Sequence, residues 1–199
     1  MESIDKSLNP AEITNDLAQW LTRILNTRNV LPLRDLVFGQ KRCWIICIDV
    51  MILGFRGNLY DSMLMAVRCA LGRTLVPKTL RADTEDDIEL DGDEQSWTPL
   101  DISRTPLSVT FNKIGLFYLV DASLSEELIS ESRINVVVSP NGSILALHKT
   151  SAGALPSSTL VDMIQSSSKV SKQLFQALDS FNTTTNIGDN DDKNSFLAF

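Results

Sequence analysis

The sequence predicts an α/β fold of the α+β kind, in two parts with mixed sheets packed against helices. Three observations predict it. From Cys43 to Phe55 nearly every residue is apolar, and the β-branched set Ile45, Ile46, Ile48, Val50 and Ile52 favours a strand buried on both faces. Beyond Thr98, short strand patterns are joined by glycine-bearing turns at Lys113-Ile114-Gly115 and Pro140-Asn141-Gly142. Around these runs lie stretches whose apolar residues recur at the three-and-four spacing of amphipathic helices.

Composition narrows the function classes. A chain of 199 residues with 43% apolar content can build a real core. The formal net charge of −7 repels phosphate backbones, so any nucleic-acid contact must be local or shared with partners. The opening MESIDKSLNP lacks the basic-then-apolar pattern of a signal peptide, and Arg42 to Phe55 falls short of the about 20 residues a membrane helix needs. The expectation is a soluble intracellular protein without a membrane segment. Cys43, Cys47 and Cys69 all lie in apolar segments, which suits buried thiols in a reducing compartment. With His148 as the single histidine, far from the cysteines, neither a metal site nor a cofactor is expected.

The elements follow in order. Asn9 and Pro10 are a capping residue and a first-turn proline, and Ile13, Leu17, Trp20, Leu21, Ile24 and Leu25 form one stripe of a helix running to about Asn26. Leu36 to Phe38 leads into the apolar strand, whose only charge is Asp49. Gly54 and Gly57 bracket a reversal at Phe55-Arg56, and Asn58 is an N-cap for a helix that places Leu59, Met63, Ala66, Val67 and Ala70 on one face. Ala66 and Ala70 would let that helix approach a sheet closely. Leu75 to Leu80 is a short strand limited by Pro77. Asp83 to Glu94 carries eight acidic residues in twelve and reads as a solvated loop; a calcium loop starting at Asp83 would need glycine where Ile88 stands.

Leu107 to Asn112 and Leu116 to Asp121 form one hairpin, Ser123 to Ser130 a short helix or turn, and Ile134 to Ser139 with Ser143 to Lys149 a second hairpin. Four antiparallel strands result. Pro156, with Ser157 or Ser158 as cap, opens a long helix to about Phe181, in which Leu160, Ile164, Val170, Leu174, Ala177, Leu178 and Phe181 cover the sheet while Lys169 and Lys172 face outward. Thr183 to Asn194 is polar and loose. The divisions are a first part at 1–80, an acidic linker at 81–97, a second part at 98–182 and a flexible tail at 183–199.

The order tryptophan, apolar strand, Ile-Asp-Val, glycine turn, Asn58-Leu59-x-Asp61, alanine-bearing helix and Thr74-x-x-Pro77 resembles the RNase PH superfamily, and within it the catalytically silent ring subunits of the RNA exosome. The resemblance implies an RNase PH-like two-part fold. Residues 1–80 would be the C-terminal portion of the first part (ribosomal S5 domain 2-like), N-terminally truncated because the family's opening strands are absent before the Pro10 helix. It also implies a non-catalytic structural subunit of the exosome core ring, acting in 3′-to-5′ RNA processing and degradation, including rRNA maturation and mRNA turnover. Its partners would be other RNase PH-like ring subunits and S1/KH cap subunits, with RNA reached through the assembled complex, in nucleus, nucleolus and cytoplasm. Two alternatives stand beside it: an active phosphorolytic 3′-to-5′ exoribonuclease subunit, and a truncated partner-binding form that does not complete the ring.

The chemistry of the superfamily's enzymes brings phosphate to a phosphodiester, so two anions must be met by positive charge and oriented donors. Where the enzymes carry a phosphate-cradling glycine-serine turn, this chain has Arg56-Gly57-Asn58, and Val120 to Glu127 resembles the Asp-x-x-x-x-Glu-Glu segment of the silent subunits. Asp49, Asp61 and Asp121 are the carboxylates open to nomination as acid-base groups. Their ordinary readings are a buried acceptor, a first-turn dipole partner and a strand terminus, so no catalytic residue is expected. His148 reads as a surface or half-buried residue. Arg56, Arg68, Arg73 and Lys78 could form a local basic patch near the glycine turn, and they are the candidates for RNA contact.

Overall fold

The computed structural model describes residues 10–28, 30–38, 42–81 and 88–188. Its framework is a four-stranded antiparallel sheet with helices on both faces. The sheet strands are β7 (Leu107–Ile114), β8 (Phe117–Val120), β9 (Ser132–Val138) and β10 (Ile144–Lys149), in the order β10-β9-β7-β8. The β7–β8 hairpin closes Ile114 onto Phe117 through Gly115 at φ 60°, and β9–β10 closes over the Asn-Gly turn. The pairings among the described residues are all antiparallel.

Before the sheet come α1 (Pro10–Leu25), the short pair β1 (Val37–Phe38) and β2 (Arg42–Cys43), and α2 (Leu59–Gly72). β3 (Leu75–Val76) pairs with β6 (Thr98–Pro99), and β4 (Thr79–Arg81) pairs with β5 (Ile88–Leu90). The stretch expected as an acidic loop is thus partly a hairpin arm, closed at its base by β3–β6. Asp83 to Asp87 lie outside the described residues. α3 (Leu124–Ile129) is opened by a capping box in which Ser123 and Glu126 bond each other's backbone N–H, and α4 (Ser157–Gly188) follows. Where a loose tail was expected from Thr183, α4 continues to Gly188, the last described residue.

Two cores sit on the two sheet faces. On one, Val109 and Phe111 of β7 and Ile134, Val136 and Val138 of β9 meet Met163 of α4. The centre of the α4 face is Met163, Ser167, Ser171 and Phe175 at four-residue spacing, with the expected Leu160, Ile164, Val170 and Leu174 flanking it and Ala177 and Phe181 exposed. Small serines let the helix lie close to the sheet, and their hydroxyls donate to the carbonyls of Ile164 and Ser168. On the other face, the α1 stripe packs with Met63, Leu64, Val67 and Leu71 of α2.

That second face corrects the expected orientation of α2. Its buried residues are Asp61, Met63, Leu64, Val67, Arg68 and Leu71, whereas Ala66 and Ala70 are exposed. The helix turns a polar stripe inward because β7 does the same: Ser108, Thr110 and Asn112 alternate with its apolar residues and are wholly buried under α2, as is Asn135 of β9.

The apolar run is the largest departure. Of that run only Arg42–Cys43 is paired, and residues 44–53 have no sheet partner among the described residues. Trp44, Ile46 and Ile48 pack on the core while Ile45, Met51 and Leu53 are 81%, 82% and 91% exposed. A strand buried on both faces needs a layer and neighbours on each side, and the described residues cover one side. Asp49 is exposed for the same reason, and so are Cys43 and Cys47, with Cys69 half-buried, against the expected burial of all three thiols.

Candidate functional site

The glycine turn and the start of α2 form the junction between the segments before and after the acidic stretch. Gly57 has φ 119°, and a Cβ placed on it would lie 2.3 Å from the carbonyl oxygen of Ala122 and 2.8 Å from the nitrogen of Leu124. Only glycine permits that approach. Across it the Leu124 N–H donates to the Arg56 carbonyl at 2.8 Å. Asn58 sits at the N-cap position in the left-handed region, φ 51° and ψ 50°, a conformation asparagine tolerates better than most residues. Its side chain does not cap the helix, contrary to expectation. Instead Nδ2 donates to Oδ1 of Asp121 at 3.0 Å, and Asp121, at the end of β8, is itself left-handed at φ 55°.

The backbone N–H of Asn58 donates to Oε1 of Glu127 at 2.9 Å. Glu127 projects from α3, its side chain 8% exposed, and its other oxygen lies 3.4 Å from Nη2 of Arg133. Arg133 is held independently, with Nε donating to Oδ1 of Asn112 at 2.9 Å. A carboxylate of the chain itself therefore occupies the positive end of α2, where an external anion would otherwise be drawn. Beside it a cavity of about 280 Å³ is lined by Ile13, Tyr60, Leu124, Glu127, Arg133 and Thr150 among others. Burial and the nearby Asp16 raise the Tyr60 phenol above its ordinary value. His148, half-buried and edge-on to Tyr60 at 5.9 Å, is held below its ordinary value by burial and by Arg23, with Asp16 opposing.

In the first turn of α2, Asp61 is 4% exposed and accepts hydrogen bonds from Ser108 Oγ (2.7 Å), Thr110 N (2.8 Å), Thr110 Oγ1 (2.9 Å) and Asn135 Nδ2 (3.1 Å). It stands in the first turn, as expected, and is also a buried anchor. Burial raises its carboxyl above the ordinary range, and the donors oppose that rise. The sequence carried a sign of this: Asp61 and Arg68 are seven apart and share the face with Leu64 and Leu71, so the stripe at that spacing was half polar.

The four basic candidates do not form one patch. Arg68 is buried, donating through Nη1 to the carbonyls of Thr105 and Ile102 (3.0 Å to the latter), stacked over Phe175 and 3.6 Å from Asp179. It cannot face RNA, because its guanidinium is spent joining α2 to α4 and to the segment before β7. Arg56 precedes the start of α2, whereas Arg73 is its C-cap and Lys78 lies beyond, and a 14-residue helix spans about 20 Å. All three are exposed. Asp49 and Asp121 are both exposed.

Residues 105–170, which build the sheet and half of α4, match the family described as 3′ exoribonuclease family, domain 2. The chain is 32% identical over 166 residues to the exosome complex component Rrp42 of Methanopyrus kandleri, covering 83% of this chain and 61% of that protein. It is 31% identical over 175 residues to the exosome complex component Rrp42 of Aeropyrum pernix, covering 85% and 61%. It thus spans about three fifths of the length of these relatives. Among solved structures, a chain of an archaeal exosome core superposes with a TM-score of 0.67 at 23% identity, over 87% of this chain and 66% of that one. A chain of the Archaeoglobus fulgidus exosome with RNA bound to the active site gives 0.68 at 22%, over 88% and 65%. The central sheet carries the match to domain 2 of the 3′ exoribonuclease family, and the chain is similar in sequence to Rrp42 exosome components and in fold to chains of archaeal exosome cores.

Proposed function

We propose that this chain is a non-catalytic structural subunit of an RNA exosome core ring, pairing with other RNase PH-like subunits and supporting 3′-to-5′ RNA processing and degradation. The observation that carries the reading is the Glu127 carboxylate on the Asn58 N–H. Phosphorolysis needs an incoming phosphate beside an anionic phosphodiester, and here the start of α2 holds a fixed negative charge, with Asp121 adding another. The named relatives are exosome components. On this reading RNA meets the chain only within the assembly, where Arg56, Arg73 and Lys78 remain the candidate contacts, S1/KH cap subunits complete the particle, and the complex works in nucleus, nucleolus and cytoplasm.

A second reading, a partner-binding form that does not complete the ring, is favoured by the exposed apolar residues of 45–53. Co-expression with the other five RNase PH-like ring subunits of its source, native mass spectrometry and an RNA decay assay with and without phosphate separate the possibilities. A stoichiometric ring without phosphate-dependent decay supports the scaffold. Nucleoside diphosphate release that depends on Asp121 overturns it, and a binary complex that goes no further selects the second reading.

A further inference from the structure

α1 is held in place by more than its apolar stripe. Trp20, buried on that stripe, meets the Tyr60 ring of α2 edge-on at 4.9 Å, and Tyr60 in turn meets His148 of β10 at 5.9 Å. One row of rings thus joins three elements, and the single histidine of the chain ends it. Nδ1 of His148 is buried and has no hydrogen-bond partner among the described residues. Trp20 Nε1, which can only donate, is buried in the same condition. A neutral imidazole suits such surroundings, because its bare nitrogen asks only for a donor. An imidazolium does not, because both nitrogens then carry protons and a buried charged N–H without an acceptor is costly.

The charges around the ring do not offset that cost. Arg23 and Asp16 of α1 act on His148 with opposite signs, and both are exposed. Tyr60 keeps its proton, since burial and Asp16 raise its phenol above the ordinary value. Glu127 and Arg133, which also act on Tyr60, are paired with each other. β9 sets the uncharged Asn135 opposite His148, and Lys149, on the other face of β10, donates to the Ser151 carbonyl. Burial first and Arg23 second therefore hold the imidazole below its ordinary value against the pull of Asp16.

We propose that His148 is a proton-operated latch on α1: the neutral ring lets α1 lie closed over α2, and protonation loosens α1 at the Trp20–Tyr60 contact. The native state favours the neutral ring. Stability is therefore lost as pH falls from the ordinary imidazole value of about 6.5 through the lower native one, and it returns as pH rises.

The test follows the whole 199-residue chain by NMR between about pH 7.5 and about pH 5, the range in which histidine changes charge. The Cε1 proton of His148 reports the imidazole titration. Hydrogen exchange of the Leu21, Ile24 and Leu25 amides, corrected for the intrinsic pH dependence of exchange, reports α1. As the ring charges, those amides exchange at least about tenfold faster while the β7–β9 amides do not, tenfold being what one unit of pKa difference delivers. His148→Gln and His148→Phe cannot charge and lose the acceleration, and the phenylalanine keeps a ring against Tyr60. Acceleration that persists in either folded variant overturns the proposal, since carboxylates would then be its source. Unchanged α1 protection in wild type overturns it too. So does protection that rises on acidification, because Asp16 would then be pairing with the charged ring. Should neither variant fold, wild type decides: the α1 loosening and the Cε1 shift share one midpoint, and midpoints more than about one pH unit apart overturn the latch.

Discussion

Replacing Asp61 by alanine should remove about 3 kcal/mol of stability. Four donors converge on this carboxylate, but they do not lose equally. Asn135 Nδ2 also donates to Thr110 Oγ1 at 2.9 Å and keeps that partner. The Thr110 hydroxyl can turn. The Thr110 N–H and the Ser108 hydroxyl, both fully buried, are left with none, and each orphaned donor costs about 1–3 kcal/mol. Against this the variant no longer buries a charge, a relief whose presence shows in the raised Asp61 carboxyl. The net of about 3 kcal/mol sits at the lower end of the loss expected on breaking a buried charged network, and it is a large share of the roughly 5–15 kcal/mol that folds a domain. Urea unfolding followed by far-UV circular dichroism and tryptophan fluorescence measures it, and Asp61→Asn, which keeps one acceptor oxygen, should fall between. A loss below about 1 kcal/mol for alanine would refute the assignment of Asp61 as the anchor of α2.

Asp61 also sets a pH signature. Its native carboxyl titrates above the unfolded one, so between those two values the native state holds the extra proton. Its contribution therefore grows as pH falls across that window and is lost as pH rises through the native value. The stability difference between wild type and Asp61→Asn should widen on acidification from neutral toward the ordinary carboxylate range, and narrowing would contradict the burial argument. Gly57→Ala should cost more than about 2 kcal/mol, because the backbone strain at φ 119° adds to a Cβ 2.3 Å from the Ala122 oxygen; loss of Leu124 amide protection in hydrogen exchange locates the damage. Ile45→Ser with Leu53→Ser should reduce aggregation measured by light scattering while changing unfolding free energy by under about 0.5 kcal/mol, since both side chains are exposed. Iodoacetamide should alkylate Cys43 and Cys47 before Cys69 in peptide mapping, and the reverse order would place residues 42–47 under cover.

What the sequence disclosed was local. The α1 stripe, both hairpin turns, the short helix after Ser123 and the start of α4 are decided within a few residues, and each stands close to where the pattern put it. Period alone misled where a polar face is covered. Ser108, Thr110 and Asn112 alternate as a solvent-facing strand would, yet Asp61 descends on them from α2, 47 residues earlier than Ser108. The apolar run predicted a strand, yet the structure pairs only Arg42–Cys43, because apolarity cannot say what covers it. At the candidate site, the two segments were legible through family likeness. Their meeting was not, because Asn58 reaches Asp121 across 63 residues and Glu127 across 69.

The polar layer under α2 also decides where that helix can sit. Met63, Leu64, Val67 and Leu71 are similar enough in size that their apolar packing alone would accept more than one axial placement on the sheet. A slip of one turn, about 5.4 Å, would carry Asp61 away from every donor that now lies within 3.1 Å of it, and it would strand both the carboxylate and the donors without water. The cost of those unmet groups exceeds what displaced aliphatic contacts could recover, so the network fixes the register that the apolar face leaves loose. Because Asn58 precedes Asp61 by less than one turn, the same anchor holds the Asn58 N–H at 2.9 Å from Glu127. Loosening Asp61 should therefore weaken the Asn58–Glu127 bond before the sheet itself opens, and in Asp61→Asn the Asn58 amide should exchange with solvent sooner than the β7–β9 amides do.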